Sequence, residues 1–232
     1  MKEITMIKPD DFHHHLRQGT LMKSLVKEAS RYFARLLVMP NIIPPVTTPD
    51  LLQNYLQDLQ IAEPTLQCLM TFKLIPNLLP RHIPDLKKAG AIAGKYYPQG
   101  VTTHSEDGIS DLESMFPVFS AMQEEELVLC IHGERPEADP MTAEQNFIPD
   151  LQNIVRNFPR LRIVLEHVSS KVGIEAVSQL PQTVGATLTV HHALFTGKST
   201  EGNPFLFCKP VCKTEADRKA ILEAMISGNP KF

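Results

Sequence analysis

Asp10-Asp11-Phe12-His13-His14-His15-Leu16-Arg17 follows directly on a short apolar run, Ile4-Thr5-Met6-Ile7. An extended chain turns successive side chains to opposite faces, so His13 and His15 share a face and His14 points away. Two imidazoles so placed at the end of a first strand make a compact pair of borderline-soft nitrogen donors, which suits zinc. Arg17, on the same face, offers a planar guanidinium to an anion beside that metal. A nucleotide-binding sheet would carry a glycine-rich loop here, and neither GxGxxG nor GxxxxGK[ST] follows the first apolar run.

Outward from this segment, short β-like runs alternate with longer amphipathic ones along almost the whole chain. Strand patterns fall at 3–7, 35–39, 67–73, 91–96, 127–131, 162–166 and 183–189. Helical spacing falls at 19–32, 49–61, 81–89, 111–125, 143–157 and 171–179, and again at 213–227 after a loop containing Gly and Pro. Leu21, Leu25, Ala29 and Tyr32 illustrate it, with apolar residues recurring every three or four positions. Thr48-Pro49 is a capping residue followed by Pro at the first helical position. Seven β-then-α repeats without a change in composition predict one α/β domain over residues 1–232 with a parallel sheet. A doubly wound sheet and a (β/α)8 TIM barrel both satisfy that order.

The chain is 232 residues long, 43% hydrophobic and carries a net charge of −3. That is ample for a sizeable core, and without basic runs it points away from nucleic acid and from membrane surfaces. No long apolar stretch and no charged-then-apolar leader is visible, so the expected compartment is the cytoplasm. The four cysteines, Cys68, Cys130, Cys208 and Cys212, lack the paired spacings of a zinc ribbon. Cys68 and Cys130 sit in apolar runs and read as reduced core residues. Cys208 and Cys212 fall in a loop and carry no clear signal.

What separates the barrel from the open sheet is the position of the polar residues. His13, His15 and Arg17 follow the first strand, and Asn41 follows the second in Val38-Met39-Pro40-Asn41. Lys95 ends the fourth, His132-Gly133-Glu134 the fifth, Glu166-His167 the sixth and His191-His192 the seventh. In a barrel these ends converge on one mouth, where such enzymes keep their active sites. Lys95 lies inside an apolar run, where a charge is expensive unless removed or paired. Burial lowers an amine's pKa, and a neutral amine adds carbon dioxide to give a carbamate able to bridge two metals. Alternatively the stem packs and the ammonium reaches the rim. Spacing alone leaves both open.

Taken together, these segments resemble dihydroorotase, in its shorter bacterial class within the amidohydrolase superfamily. The match rests on residues 10–17, on Val38-Met39-Pro40-Asn41 through Pro44-Pro45-Val46-Thr47-Thr48, and on Lys95-Tyr96-Tyr97-Pro98. His132-Gly133-Glu134 and Leu165-Glu166-His167 continue it in order, across essentially the whole chain. The resemblance implies a metal-dependent (β/α)8 barrel, present here as about seven βα units without strand eight. It also implies reversible interconversion of N-carbamoyl-L-aspartate and L-dihydroorotate in de novo pyrimidine synthesis, by a homodimer.

Carried over by position, His13 and His15 hold one zinc, His132 and His167 a second, and carbamylated Lys95 bridges the two. Arg17 and Asn41 hold the substrate carboxylate, and Thr102 and Thr103 match a loop that closes over it. Glu134 and Glu166 read as groups that orient neighbouring ligands, with proton transfer as the alternative, and His191 and His192 as rim residues, unless one rotates inward to serve as a ligand. His82 and His104 receive no role.

The family's eighth strand ends in an Asp that binds metal and shuttles a proton. This sequence stops at Gly228-Asn229-Pro230-Lys231-Phe232, before that position, so five of the six expected metal-ligand positions are present and no catalytic acid/base is assigned. The expectation is a fragment of a longer enzyme or, failing that, a shortened binding or scaffold subunit without catalysis. A hydantoinase or dihydropyrimidinase-type amidase is the enzyme alternative. Arg17 with Asn41 argues against it, because those substrates need carry no carboxylate.

Overall fold

The computed structural model describes residues 3, 5–102 and 104–232. Its strands are β1 (Asp11–His14), β2 (Arg35–Val38), β3 (Gln67–Lys73), β4 (Ala91–Tyr96), β5 (Val128–Ile131), β6 (Arg162–Leu165) and β7 (Val184–Ala186). All pair in parallel, in the order β1-β2-β3-β4-β5-β6-β7. Between them run α1 (Gly19–Tyr32), α2 (Pro49–Ala62), α3 (Ile83–Lys88), α4 (Phe116–Glu124), α5 (Ala143–Asn157) and α6 (Lys171–Gln179). Two short helices, α7 (Val190–Leu194) and α8 (Gly197–Thr200), precede α9 (Glu215–Ile226). This is the βα-repeat architecture of a TIM barrel, curled but not joined between β7 and β1 among the described residues.

The pleat divides the core in two. On β2, Leu36 and Val38 face the helices and join the main apolar cluster, while Leu37 and Met39 face inward with Ala93 and Cys130. Because side chains alternate with period two, the inward rows continue from Ala93 to Lys95, from Cys130 to His132 and from Val164 to Glu166. A small apolar plug thus fills the bottom of the barrel, and each row ends at the mouth in a polar group.

Helix starts follow local chemistry. Thr48 Oγ1 accepts from Leu51 N (3.3 Å) ahead of Pro49, and Ser170 Oγ accepts from Gly173 N (3.0 Å). The segment 111–125 divides into a 3-10 turn, Glu113–Met115, and α4, with Pro117 in its first turn.

The first strand is displaced from its sequence-based position. Residues 3 and 5–10 are not in a strand, and position 4 lies outside the described residues. β1 is instead Asp11–His14, paired through Asp11↔Leu36 and His14↔Val38. The run at 5–7 has strand-like composition but no strand partner among the described residues, and Met6 and Ile7 are 70% and 91% exposed. At the far edge, Ala186 N donates to Lys231 O (2.7 Å), so residue 231 lies alongside β7.

Candidate active site

Four histidines gather over the inward ends of β1, β5 and β6. His13 Nε2 and His15 Nε2 stand 3.2 Å apart, while His14 turns away to Asp11 Oδ2 (2.8 Å) and to the Phe33 ring. The His167 ring lies between the others, with centroids 4.9 Å from His13 and 4.7 Å from His132. Lys95 forms the floor, wholly buried.

Two carboxylates orient the rings. Glu134 Oε2 takes His132 Nε2 at 2.7 Å, and Glu166 Oε2 takes His13 Nδ1 in a short contact. Glu166 therefore serves His13 and not its sequence neighbour His167. Thr187 completes the arrangement: its hydroxyl accepts from His167 N (2.7 Å) and donates to Glu166 Oε2 (3.1 Å). Sequence reasoning missed Thr187, whose only signal was its place within the seventh strand pattern.

Burial holds His15, His132 and His167 neutral. Desolvation, aided by His13, Arg17 and Lys95, pushes His15 down to about 2. Burial likewise lowers His132 and pushes His167 well below its ordinary value. These groups gain protons in the unfolded chain but not in the native one as the pH falls. Their contribution to stability is therefore present above about 6.5, the free imidazole value, and is lost progressively below it. The metal-free protein is expected to lose up to about 1.4 kcal/mol per pH unit for each such imidazole below that point. Urea unfolding at two pH values on either side checks this, and a flat profile would show the rings to be solvated.

Arg17, Asn41 and Thr102 line one cavity of 580 Å³ together with His13, His15 and His167. Thr103 lies outside the described residues. Arg17 has a left-handed backbone (φ 60°), and its carbonyl accepts from the Tyr55 hydroxyl at 2.8 Å. Asn41 is buried within hydrogen-bonding reach of His15. Thr102 is fixed through Ser105, which accepts from Thr102 N (2.9 Å) and donates to Thr102 O (2.6 Å).

That loop is anchored by Lys73, the inward-facing end of β3. Its Nζ donates to His104 O (2.7 Å) and forms a short ion pair with Asp107. Lys73 carried the same signal as Lys95, a lysine closing an apolar strand, and was not singled out. His104, given no role from sequence, reaches Asn41 O through Nδ1 at 3.2 Å. His191 and His192 border the same cavity, His191 partly exposed and His192 buried. A larger groove of 1030 Å³ runs along the 196–215 segment and contains none of the four clustered histidines.

The donor set fits a divalent-metal centre. Two imidazole nitrogens face each other at 3.2 Å, and among the described residues His167 Nδ1 and Lys95 Nζ are buried with no hydrogen-bond partner. Buried polar atoms without partners are rare and call for a ligand. The glutamates on His13 and His132 are the partners that metal-binding histidines use to fix ring orientation.

No protein-family model matches the chain. It is 41% identical to a dihydroorotase of Delftia acidovorans over 99% of its own length and 69% of that protein. It is 39% identical to a dihydroorotase of Mycosarcoma maydis over 100% of its length and 60% of that protein. The chain thus spans about two thirds or less of the length of these relatives. The crystal structure of Saccharomyces cerevisiae dihydroorotase in complex with 5-fluoroorotic acid superposes with a TM-score of 0.92 at 36% identity, covering 97% of this chain and 67% of that one. The L-hydantoinase of Arthrobacter aurescens (TM-score 0.77, 17% identity, covering 95% and 55%) shares the fold alone. A metal-suited histidine cluster on a β/α barrel and this degree of identity over nearly the whole chain have one common meaning: the chain belongs to the dihydroorotase family of amidohydrolases.

Proposed function

We propose that this chain carries the metal- and substrate-binding barrel of a dihydroorotase, interconverting N-carbamoyl-L-aspartate and L-dihydroorotate in pyrimidine biosynthesis. In this reading His13 and His15 hold one zinc, His132 and His167 a second, and carbamylated Lys95 joins them. The observation that carries it is Lys95: a wholly buried amine with no hydrogen-bond partner among the described residues, close enough to His15, His132 and His167 for its charge to depress all three. The protein is taken to be cytoplasmic and homodimeric. Among the described residues no helix is long and apolar enough to cross a membrane.

Bound divalent ions would supply an activated water and polarise the amide carbonyl it attacks. The remaining work falls to the chain. Glu166 and Glu134 hold His13 and His132 each by one ring nitrogen, so that the His13 ring presents its other nitrogen toward His15. Arg17 and Asn41 fix the substrate carboxylate at one end of the cavity, orienting the amide toward the histidines. Lys73 holds the loop that brings Thr102 to the wall.

Turnover of L-dihydroorotate by the zinc- and bicarbonate-supplied chain, followed by ring absorbance alongside calorimetric binding, tests the reading. Turnover supports it. Binding without turnover would favour a substrate-binding scaffold, and absence of both would overturn it. Arg17→Lys is expected to raise KM about tenfold with a smaller change in kcat. An ammonium cannot reproduce the bidentate fork, and loss of one charge-assisted hydrogen bond costs about 1.5 kcal/mol. Steady-state kinetics separates the two constants.

A further inference from the structure

A second group of metal-type donors lies at the mouth of the barrel, beyond the residues assigned above. Ligand atoms of His191, His192 and Cys212 lie within 4.8 Å of one another, and Cys208 Sγ is 3.2 Å from His191 Nε2. The two rings stack with centroids 4.1 Å apart. His191 and His192 lie in α7, just after β7, and the cysteines bracket Lys209-Pro210-Val211 on the segment crossing the mouth. All four cysteines of the chain are free thiols.

The hydrogen bonding of His192 is that of a ligand being held in place. Its Nε2 lies 2.9 Å from Pro210 O, which can only accept, so Nε2 carries the proton and Nδ1 the lone pair. Metal-bound histidines typically donate the second nitrogen to a carbonyl in this way. Nδ1 now accepts from the Thr189 hydroxyl (2.6 Å), a rotatable group that a metal on Nδ1 would displace. Cys212 is buried, and its sulfur makes a long contact to His191 O (3.8 Å).

We propose that Cys208, Cys212, His191 and His192 form a thiolate–imidazole site for a zinc-class cation, separate from the Lys95 cluster, that ties the 208–212 segment to the end of β7. Two sulfurs and two imidazole nitrogens are the donor set of a closed tetrahedral zinc site, in which bond lengths of about 2.0–2.3 Å place neighbouring donors roughly 3.3–3.8 Å apart. The Cys208–His191 pair already stands close to that spacing, and the His191, His192 and Cys212 donors, within 4.8 Å of one another, would have to draw together around the ion. Soft thiolates distinguish this site from the nitrogen- and oxygen-donor centre below it. Since metal binding releases the thiol protons, occupancy would grow as the pH rises.

The test is titration of the reduced, metal-stripped 232-residue chain with Co2+, reading near-ultraviolet thiolate-to-cobalt charge-transfer absorption and bound cobalt. The absorption is expected to appear, to be lost in both Cys208→Ser and Cys212→Ser, and to take about one bound equivalent per chain with it. Far-ultraviolet circular dichroism verifies that the variants fold. Lys95→Met should leave the absorption intact, so failure of the proposed activity and failure of this site are read separately. Loaded wild-type protein without the absorption would overturn the proposal. So would absorption undiminished in either serine variant, since the substituted cysteine would then not be a ligand.

Discussion

Lys95→Met is expected to lower L-dihydroorotate turnover by more than about 100-fold, the upper end of what losing a mere orienting partner of a metal costs, and at the same time to stabilise the metal-free fold. The two effects have one cause. The lysine stem runs inward from β4 above Ala93 and beside Cys130, its register partner on β5. Its amine is buried with no hydrogen-bond partner among the described residues, 5.2 Å from the Tyr97 ring centroid. Burial holds that amine below its ordinary pKa, with Glu166 opposing. A polar group in this position costs about 1–3 kcal/mol, and Met has similar length without the polar atom. Urea unfolding of the two metal-free proteins should therefore show the variant more stable by about 1–3 kcal/mol. Metal uptake by the wild type should require carbon dioxide or bicarbonate, whereas the variant should not respond to it. A variant destabilised to the same extent would mean that the amine is satisfied in the apo-protein, and the carbamate reading would lose its basis.

Glu144→Ala is expected to cost about 3–5 kcal/mol of stability, the range for breaking a buried, hydrogen-bonded charge network by removing one member. Glu144 projects from α5 into the turn after β6 and is buried. One carboxylate oxygen accepts from Ser169 N and Oγ (both 2.8 Å), the other from Ser170 N (3.0 Å) and Oγ (2.5 Å). Lys213, also buried, donates to Ser169 Oγ at 2.7 Å. Alanine would leave four donors and a lysine around a cavity. Gly173 belongs to the same unit, since a Cβ there would come within 2.3 Å of Glu144 Oε1. The turn immediately follows His167, so the loss should also loosen that ring. Urea denaturation monitored by two probes measures the first effect, and metal content after dialysis the second. A cost below about 1 kcal/mol, the level of an ordinary single hydrogen bond, would show that the serines find water instead.

Much of the site was legible because strand alternation is a local property. Once 91–96 and 127–131 are read as strands, Lys95 follows Ala93 and His132 follows Cys130 on one face, whatever the remainder of the chain does. The shared face of His13 and His15 came from the same rule and is observed. Strand one was misplaced because an apolar composition signals a strand only where a partner lies alongside. Leu36 and Val38 lie beside residues 11–14 and not beside 5–7.

Spacing along a few consecutive residues was enough to read the order of βα units, the inward rows of β4, β5 and β6 and the polar residues that cap those rows. Which of those residues meet was settled by long-range packing. Glu166 serves His13, 153 positions away, instead of its neighbour. Lys73 reaches across to Asp107, Glu144 to Ser169 and Ser170, and Cys208 to His191. Such pairings depend on the curl of the sheet and the path of the loops across its mouth, set by packing summed over the whole chain, and local periodicity carries no record of that sum.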